Sequence, residues 1–124
     1  MNEGKLYQQI IDKGKELTPF HPAWKTEENL VSGCQSIMYL HSELTEGKIT
    51  YFADSKALIS RGLAALLLAF YNGKEPEFVL KNPPIFLEKE GIVENLTPGR
   101  ANGVASLYLK MKQQALAHLL APRS

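Results

Sequence analysis

The chain has one cysteine, Cys34, in the segment Val31-Ser32-Gly33-Cys34-Gln35-Ser36. A thiolate is a nucleophile and a metal ligand, so chemistry is sought here first. A lone cysteine is also commonly a small buried hydrophobe. Here Gly33 precedes it, Gln35-Ser36 follow it, and a strand-like apolar run begins only at Ile37. The thiol is therefore expected in a polar turn at a strand entrance, the kind of connection that carries function. Glycine beside it allows backbone shapes, and close approach by another molecule, that a side chain would obstruct. No lysine or arginine lies within three residues on either side. A charge partner for the thiolate must come from elsewhere in the chain. An apolar surround would instead raise the thiol pKa and leave it quiet.

Two more segments could carry chemistry. Asp54-Ser55 followed by Arg61-Gly62 reads as a helix cap and then an arginine. Leu96-Thr97-Pro98-Gly99-Arg100-Ala101-Asn102-Gly103 reads as a turn opening a helix. A cation at that helix start opposes the macrodipole. Arg100 is thus a candidate for a functional or interface role, and a salt bridge to a neighbour would explain it equally. A cysteine hydrolase would need a histidine beside the thiol. Nothing in the spacing pairs His21, His41 or His118 with Cys34. One cysteine and dispersed histidines form no metal-ligand pattern, and no phosphate-binding glycine loop is present, so no metal or cofactor is expected.

These residues must be positioned by a small fold. At 124 residues a single domain spanning 1–124 is expected, burying roughly two-thirds of its unfolded surface. Hydrophobic residues make up 44% and charged residues 22%, as in an ordinary globular chain. A net charge of +1 gives no footprint for nucleic acid or a membrane surface. The longest apolar stretch, Leu63 to Tyr71, is far short of the ~20 residues of a spanning helix. Met1 to Lys15 is polar and lacks a signal-peptide core, so a reducing compartment, the cytoplasm by default, is expected.

Apolar spacing predicts an amphipathic helix over 3–17, stopped by Thr18-Pro19. Residues 18–29 read as a loop whose Trp24 packs back on the core. Ile37–His41 and Ile49–Phe52 read as a hairpin with a longish polar loop, Ser42 to Lys48, and Val31 could extend the first strand backwards. Asp54-Ser55 is read as the cap of a central helix from about Lys56 to Tyr71, stopped by Asn72-Gly73. Two short helices, 76–80 and 84–89, precede a last helix from near Arg100 to about Leu120. Its expected core positions are Val104, Leu107, Met111, Leu116 and Leu119. The expected class is α+β, a small antiparallel sheet of two to three strands with helices packed on one face.

At this point the motifs resemble those of a known family. Val31 to Ser36 resembles the active-cysteine motif of the SufE family, sulfur-acceptor partners of cysteine desulfurases in iron–sulfur cluster assembly. Asp54-Ser55 with Arg61-Gly62 looks like the family's second motif, and Leu96 to Gly103 is similar to its third. The likeness runs in consistent order over about residues 17–119. It departs at Tyr39, where a tryptophan is usual, and an opening helix of many members is expected to be missing or reduced.

The resemblance implies that Cys34 bears a persulfide received from a pyridoxal-phosphate-dependent, SufS-like cysteine desulfurase. It implies that Arg100 lies near the cysteine loop and the desulfurase interface. Asp54 would help hold that loop, and Gly33 and Gln35 would flank the thiol. Sulfur would pass on to a cluster scaffold such as SufBCD, with no cofactor or metal of the chain's own; monomer or homodimer is left open. Transfer requires reach and storage requires shelter, so a loop with inward and outward states is expected. Against this stand two other classes: a cysteine hydrolase using His21 or His41, and a non-catalytic binding module in which Cys34 is merely packed.

Overall fold

Turn chemistry sets the first piece of the architecture. The computed structural model describes residues 3–121. Strand β1 (Met38–Thr45) pairs antiparallel with β2 (Lys48–Ser55), in register from Met38↔Ser55 to Thr45↔Lys48. The connection is only Glu46-Gly47, with φ of 52° and 79°. Two positive φ values give the tight turn whose twist matches that of the strands. The longish loop expected over Ser42 to Lys48 is therefore corrected. Glu43, Leu44 and Thr45 are exposed because the hairpin tip runs past the core into solvent, not because they turn.

Alternation then assigns the faces. Met38, Leu40, Ile49, Tyr51, Ala53 and Ser55 point to the helices and are buried. Tyr39, His41, Phe52 and Asp54 lie on the other face. There Trp24 stacks on His41 at 4.1 Å between ring centroids and lies 4.8 Å from Phe52 and 5.4 Å from Phe20. Trp24 thus shields the outer face of the sheet rather than joining the core. Trp24→Ala is expected to cost about 2 kcal/mol in urea unfolding. An unchanged midpoint would count against that shielding.

Helices α1 (Glu3–Gly14), α2 (Leu58–Tyr71), α3 (Pro76–Lys81), α4 (Phe86–Lys89) and α5 (Pro98–Leu120) complete the chain. The core lies between the inner sheet face and α1, α2 and α5, which gives the expected α+β class with helices on one face. Leu63, Ala64, Leu67, Leu68 and Tyr71 of α2 form its centre. Tyr51 reaches across it and donates to the Met111 carbonyl at 2.7 Å, so its buried hydroxyl is satisfied.

Three expected boundaries move. Asp54-Ser55 end β2 instead of capping a helix. The cap position of α2 is Ala57, with no side-chain bond, and Ser55 Oγ accepts from the Ala57 N–H at 3.3 Å. Residues Lys15 to Leu17 leave α1 as a turn. At the far end of α5, Leu116 and Leu119 are 46% and 43% exposed, because the helix outruns the core after Ala115. Among the described residues no helix is long and apolar enough to cross a membrane.

Candidate functional site

The cysteine loop is built by closing its base. The Val31 N–H donates to the Met38 carbonyl at 2.9 Å, and Leu30 bridges Tyr39. Those contacts pin both ends to the free edge of β1, and residues 32–37 project from it. Val31 is not a third strand but the buried anchor of this loop.

The loop lies on α5. Gly33 has φ of +90°, and a Cβ built there would sit 2.5 Å from Ser106 Oγ. Both the turn and the contact require glycine. Gly33→Ala is expected to destabilise by about 2 kcal/mol and to lift the loop. The check is faster thiol labelling with a lowered melting temperature; wild-type values of both would refute it. The Gln35 amide covers Gly99, where an added Cβ would lie 2.1 Å from Nε2.

Between these contacts Cys34 is half-buried, its Sγ 3.7 Å from the Gly103 carbonyl, which can accept the S–H. Beside it is a small pocket of about 20 Å³, lined by Met38, Leu63, Val104 and Leu107 with Gly103, Gln35, Ser60, Gly99 and Arg100. Burial pushes the Cys34 thiol up, and no nearby cation offsets it. Alkylation of Cys34 should therefore turn on at higher pH than in a short peptide of the same loop sequence. The sign for stability follows. The unfolded thiol ionises first, so folding stability is full below the ordinary thiol pKa and falls as pH rises through the folded value. Coincident alkylation profiles would refute the shift.

Arg100 is placed by the cap of α5. Thr97 Oγ1 accepts from the Arg100 N–H at 3.3 Å, and Pro98 opens the helix. The guanidinium lies over the Tyr7 ring, 5.6 Å from its centroid, and the Tyr7 hydroxyl donates to the Asn95 carbonyl. Arg100 thus lines the cysteine pocket while its charge rests on an aromatic face rather than on the thiol.

The structure gathers Gly33, Cys34, Gln35 and Arg100 in one place. Asp54 does not line this pocket. It pairs with Lys25 at 3.3 Å and with Arg61 at 3.8 Å. Arg61 Nε in turn donates to the Gly14 carbonyl at 2.9 Å, so these two residues tie the sheet to the end of α1. None of the three histidines lines the pocket. His21 accepts from the Ala23 N–H, His41 stacks on Trp24, and His118 bonds Ser42 at 3.0 Å. The thiol therefore has no imidazole base in this arrangement. Among the described residues no three His, Cys, Asp or Glu side chains gather to hold a metal ion. Sequence reasoning missed Ser106, Leu63 and Tyr7. Ser106 could have been found by helical spacing from Gly99 and Gly103, which share its face.

Comparison with known proteins bears on this arrangement. The family model described as "SufE, Fe–S metabolism associated domain" matches residues 1–115. An uncharacterised SufE-like protein of Synechocystis is 38% identical over 116 residues, covering 94% of this chain and 73% of that protein. The cysteine desulfuration protein SufE of Wigglesworthia glossinidia brevipalpis is 32% identical over 122 residues, covering 96% and 84%. The solution structure of a hypothetical protein from Thermus thermophilus superposes with a TM-score of 0.81 at 25% identity, covering 98% of this chain and 89% of that one.

Proposed function

This chain belongs to the SufE family, and we propose that it takes sulfur from a cysteine desulfurase as a persulfide on Cys34. The observation that carries the reading is the lone thiol on a loop whose backbone hydrogen bonds to the sheet lie at its base, turned into a mostly apolar pocket. The Cys34 thiolate attacks the outer sulfur of the donor's cysteine persulfide. A new S–S bond forms on Cys34, the donor's S–S bond breaks, and the donor cysteine leaves as a thiolate. No net oxidation occurs, since sulfane sulfur only changes carriers. Rate then depends on thiolate fraction and access.

Both are low in the inward state, because burial holds the thiol neutral and turned toward α5. Release of the Gly103 contact on docking would expose the thiol and bring its pKa back toward the ordinary thiol value, which raises the thiolate fraction. The loop is hinged for this by Gly33 and anchored by Val31. When it returns, the pocket of about 20 Å³ has room for one more small atom beside Sγ, which shelters the product. The recipient is read as a cluster-assembly scaffold that docks in the donor's place, and the working compartment as a reducing one.

The test is mass spectrometry after mixing the chain with an active desulfurase and cysteine. The expected product gains one sulfur atom, on Cys34. Absence of that adduct with an active cognate donor would defeat the reading. Arg100, within the pocket lining and on the surface that meets the donor, is read as an interface residue. Arg100→Ala should leave the fold intact and reduce stimulation of the desulfurase by about tenfold, equivalent to one lost interface contact. Identical stimulation curves in a titration would remove it from the interface.

A further inference from the structure

We propose that Tyr7 is a positioning residue whose ring seats the Arg100 guanidinium in advance of docking to the cysteine desulfurase. This rests on the reading of Arg100 as an interface residue. Little else holds that side chain. Among the described residues no ion pair involves Arg100, and its guanidinium donates no hydrogen bond. Glu90 and Glu94 are the carboxylates nearest to it in sequence, and neither pairs with it. The start of α5 repels a cation instead of fixing one. What the guanidinium faces is the Tyr7 ring, 5.6 Å from its centroid. An aromatic face attracts a guanidinium and gives it a flat surface to stack on.

Tyr7 is itself fixed from two sides. It rides on α1, which meets α2 backbone to backbone where Gly14 approaches Gly62. Its hydroxyl donates to the Asn95 carbonyl. Asn95 ends the turn Val93–Asn95, and only Leu96 separates it from Thr97, the cap of α5. The Asn95 amide in turn donates to the Gly91 carbonyl at 2.8 Å. One side chain thus has two tasks. The hydroxyl ties α1 to the approach of α5, and the ring holds the Arg100 charge at the cysteine pocket, which Arg100 also lines. The second task is entropic. A free arginine must be ordered when a partner docks, and ordering it beforehand tightens binding by a factor of about five. Because ring and hydroxyl act separately, substitution can separate them.

The experiment titrates a cysteine desulfurase with the full chain and its variants, reading half-saturating concentration and maximal stimulated rate. Tyr7→Phe loses the Asn95 bond, so it should melt at a lower temperature yet keep the wild-type half-saturating concentration. Tyr7→Leu should raise that concentration about fivefold at a temperature where circular dichroism shows it folded, with the maximal rate unchanged. The double variant Tyr7→Leu/Arg100→Ala should match Arg100→Ala within about twofold, because a seat without its arginine has nothing left to lose. If Tyr7→Leu does not fold, Tyr7→Met takes its place. A second readout needs no partner: nuclear Overhauser contacts between Arg100 side-chain protons and the ring of residue 7, present in the wild type and kept in Tyr7→Phe. Absence of those contacts would overturn the proposal. So would an unchanged Tyr7→Leu, a Tyr7→Phe as weak as Tyr7→Leu, or losses that add in the double variant. A wild type that neither loads sulfur nor stimulates the donor defeats the sulfur reading and this proposal with it. A wild type that does both, with any of the failures above, defeats this proposal alone.

Discussion

Cys34→Ser is expected to abolish sulfur acceptance completely while leaving the fold in place. The chemical argument is about bond type. A serine hydroxyl offers no sulfur for an S–S bond, and at neutral pH it is not ionised, so a persulfide donor has nothing to transfer to. The structural argument is about size and contacts. Serine is slightly smaller than cysteine, the site is only half-buried, and the hydroxyl can donate to the same Gly103 carbonyl. The change in stability should therefore stay within about 1 kcal/mol.

Two measurements separate the roles. Mass spectrometry after incubation with desulfurase and cysteine should show no added sulfur on the variant. Binding to the desulfurase, read by calorimetry, should be unchanged within about threefold, because the interface keeps Gln35 and Arg100. Sulfur loading of the variant at another atom would refute the assignment. Retained turnover of acyl esters without any partner would favour the hydrolase class instead, for which the pocket holds no imidazole.

The site was legible where local chemistry and position coincide. Gly33-Cys34-Gln35 reads as a turn from its composition alone, and Arg100 stands out because a cation at a helix start opposes the dipole. Their meeting was not legible from periodicity, since it depends on how the loop lies across α5. Gly99, Gly103 and Ser106 share one face of that helix, and small residues there leave room for Gln35, Cys34 and Gly33. Asp54-Ser55 misled for a different reason. Short oxygen-bearing side chains serve equally at strand ends and helix caps, and here the helix begins only at Leu58. The hairpin misled because Ser42, Glu43 and Thr45 are polar, a mark shared by turns and by strand residues that leave the core. The outer leucines of α5 were read as core because period alone does not tell which helical stripe faces inward.

Gly62→Ala is expected to be the most damaging single-methyl addition, and the reason shows what the Arg61-Gly62 motif does. A Cβ at Gly62 would lie 1.9 Å from the Ile10 carbonyl oxygen, 2.5 Å from its carbon and 2.6 Å from Cγ2. The obstacle is largely backbone, so no rotamer change relieves it. At the same crossing a Cβ on Gly14 would lie 3.0 Å from the Gly62 nitrogen. Helices α1 and α2 therefore touch backbone to backbone, and Arg61 locks the contact by donating to Gly14. Accommodating the methyl means moving α1 away and exposing part of Leu6 and Ile10, which are 8% and 2% exposed. Losing both burials costs about 4 kcal/mol. Alanine recovers about 1 kcal/mol of helix propensity. The net loss should be about 3 kcal/mol, seen as a lower urea midpoint and faster hydrogen exchange in α1. Gly14→Ala, with contacts no closer than 3.0 Å, should cost less. Equal costs, or a wild-type midpoint for Gly62→Ala, would show that the crossing yields easily. The effect should also reach the thiol. Tyr7 rides on α1 and carries the Arg100 guanidinium, so a displaced α1 leaves Arg100 without its seat beside the cysteine pocket. Stimulation of the desulfurase by Gly62→Ala should then fall toward that of Arg100→Ala even at temperatures where the variant stays folded.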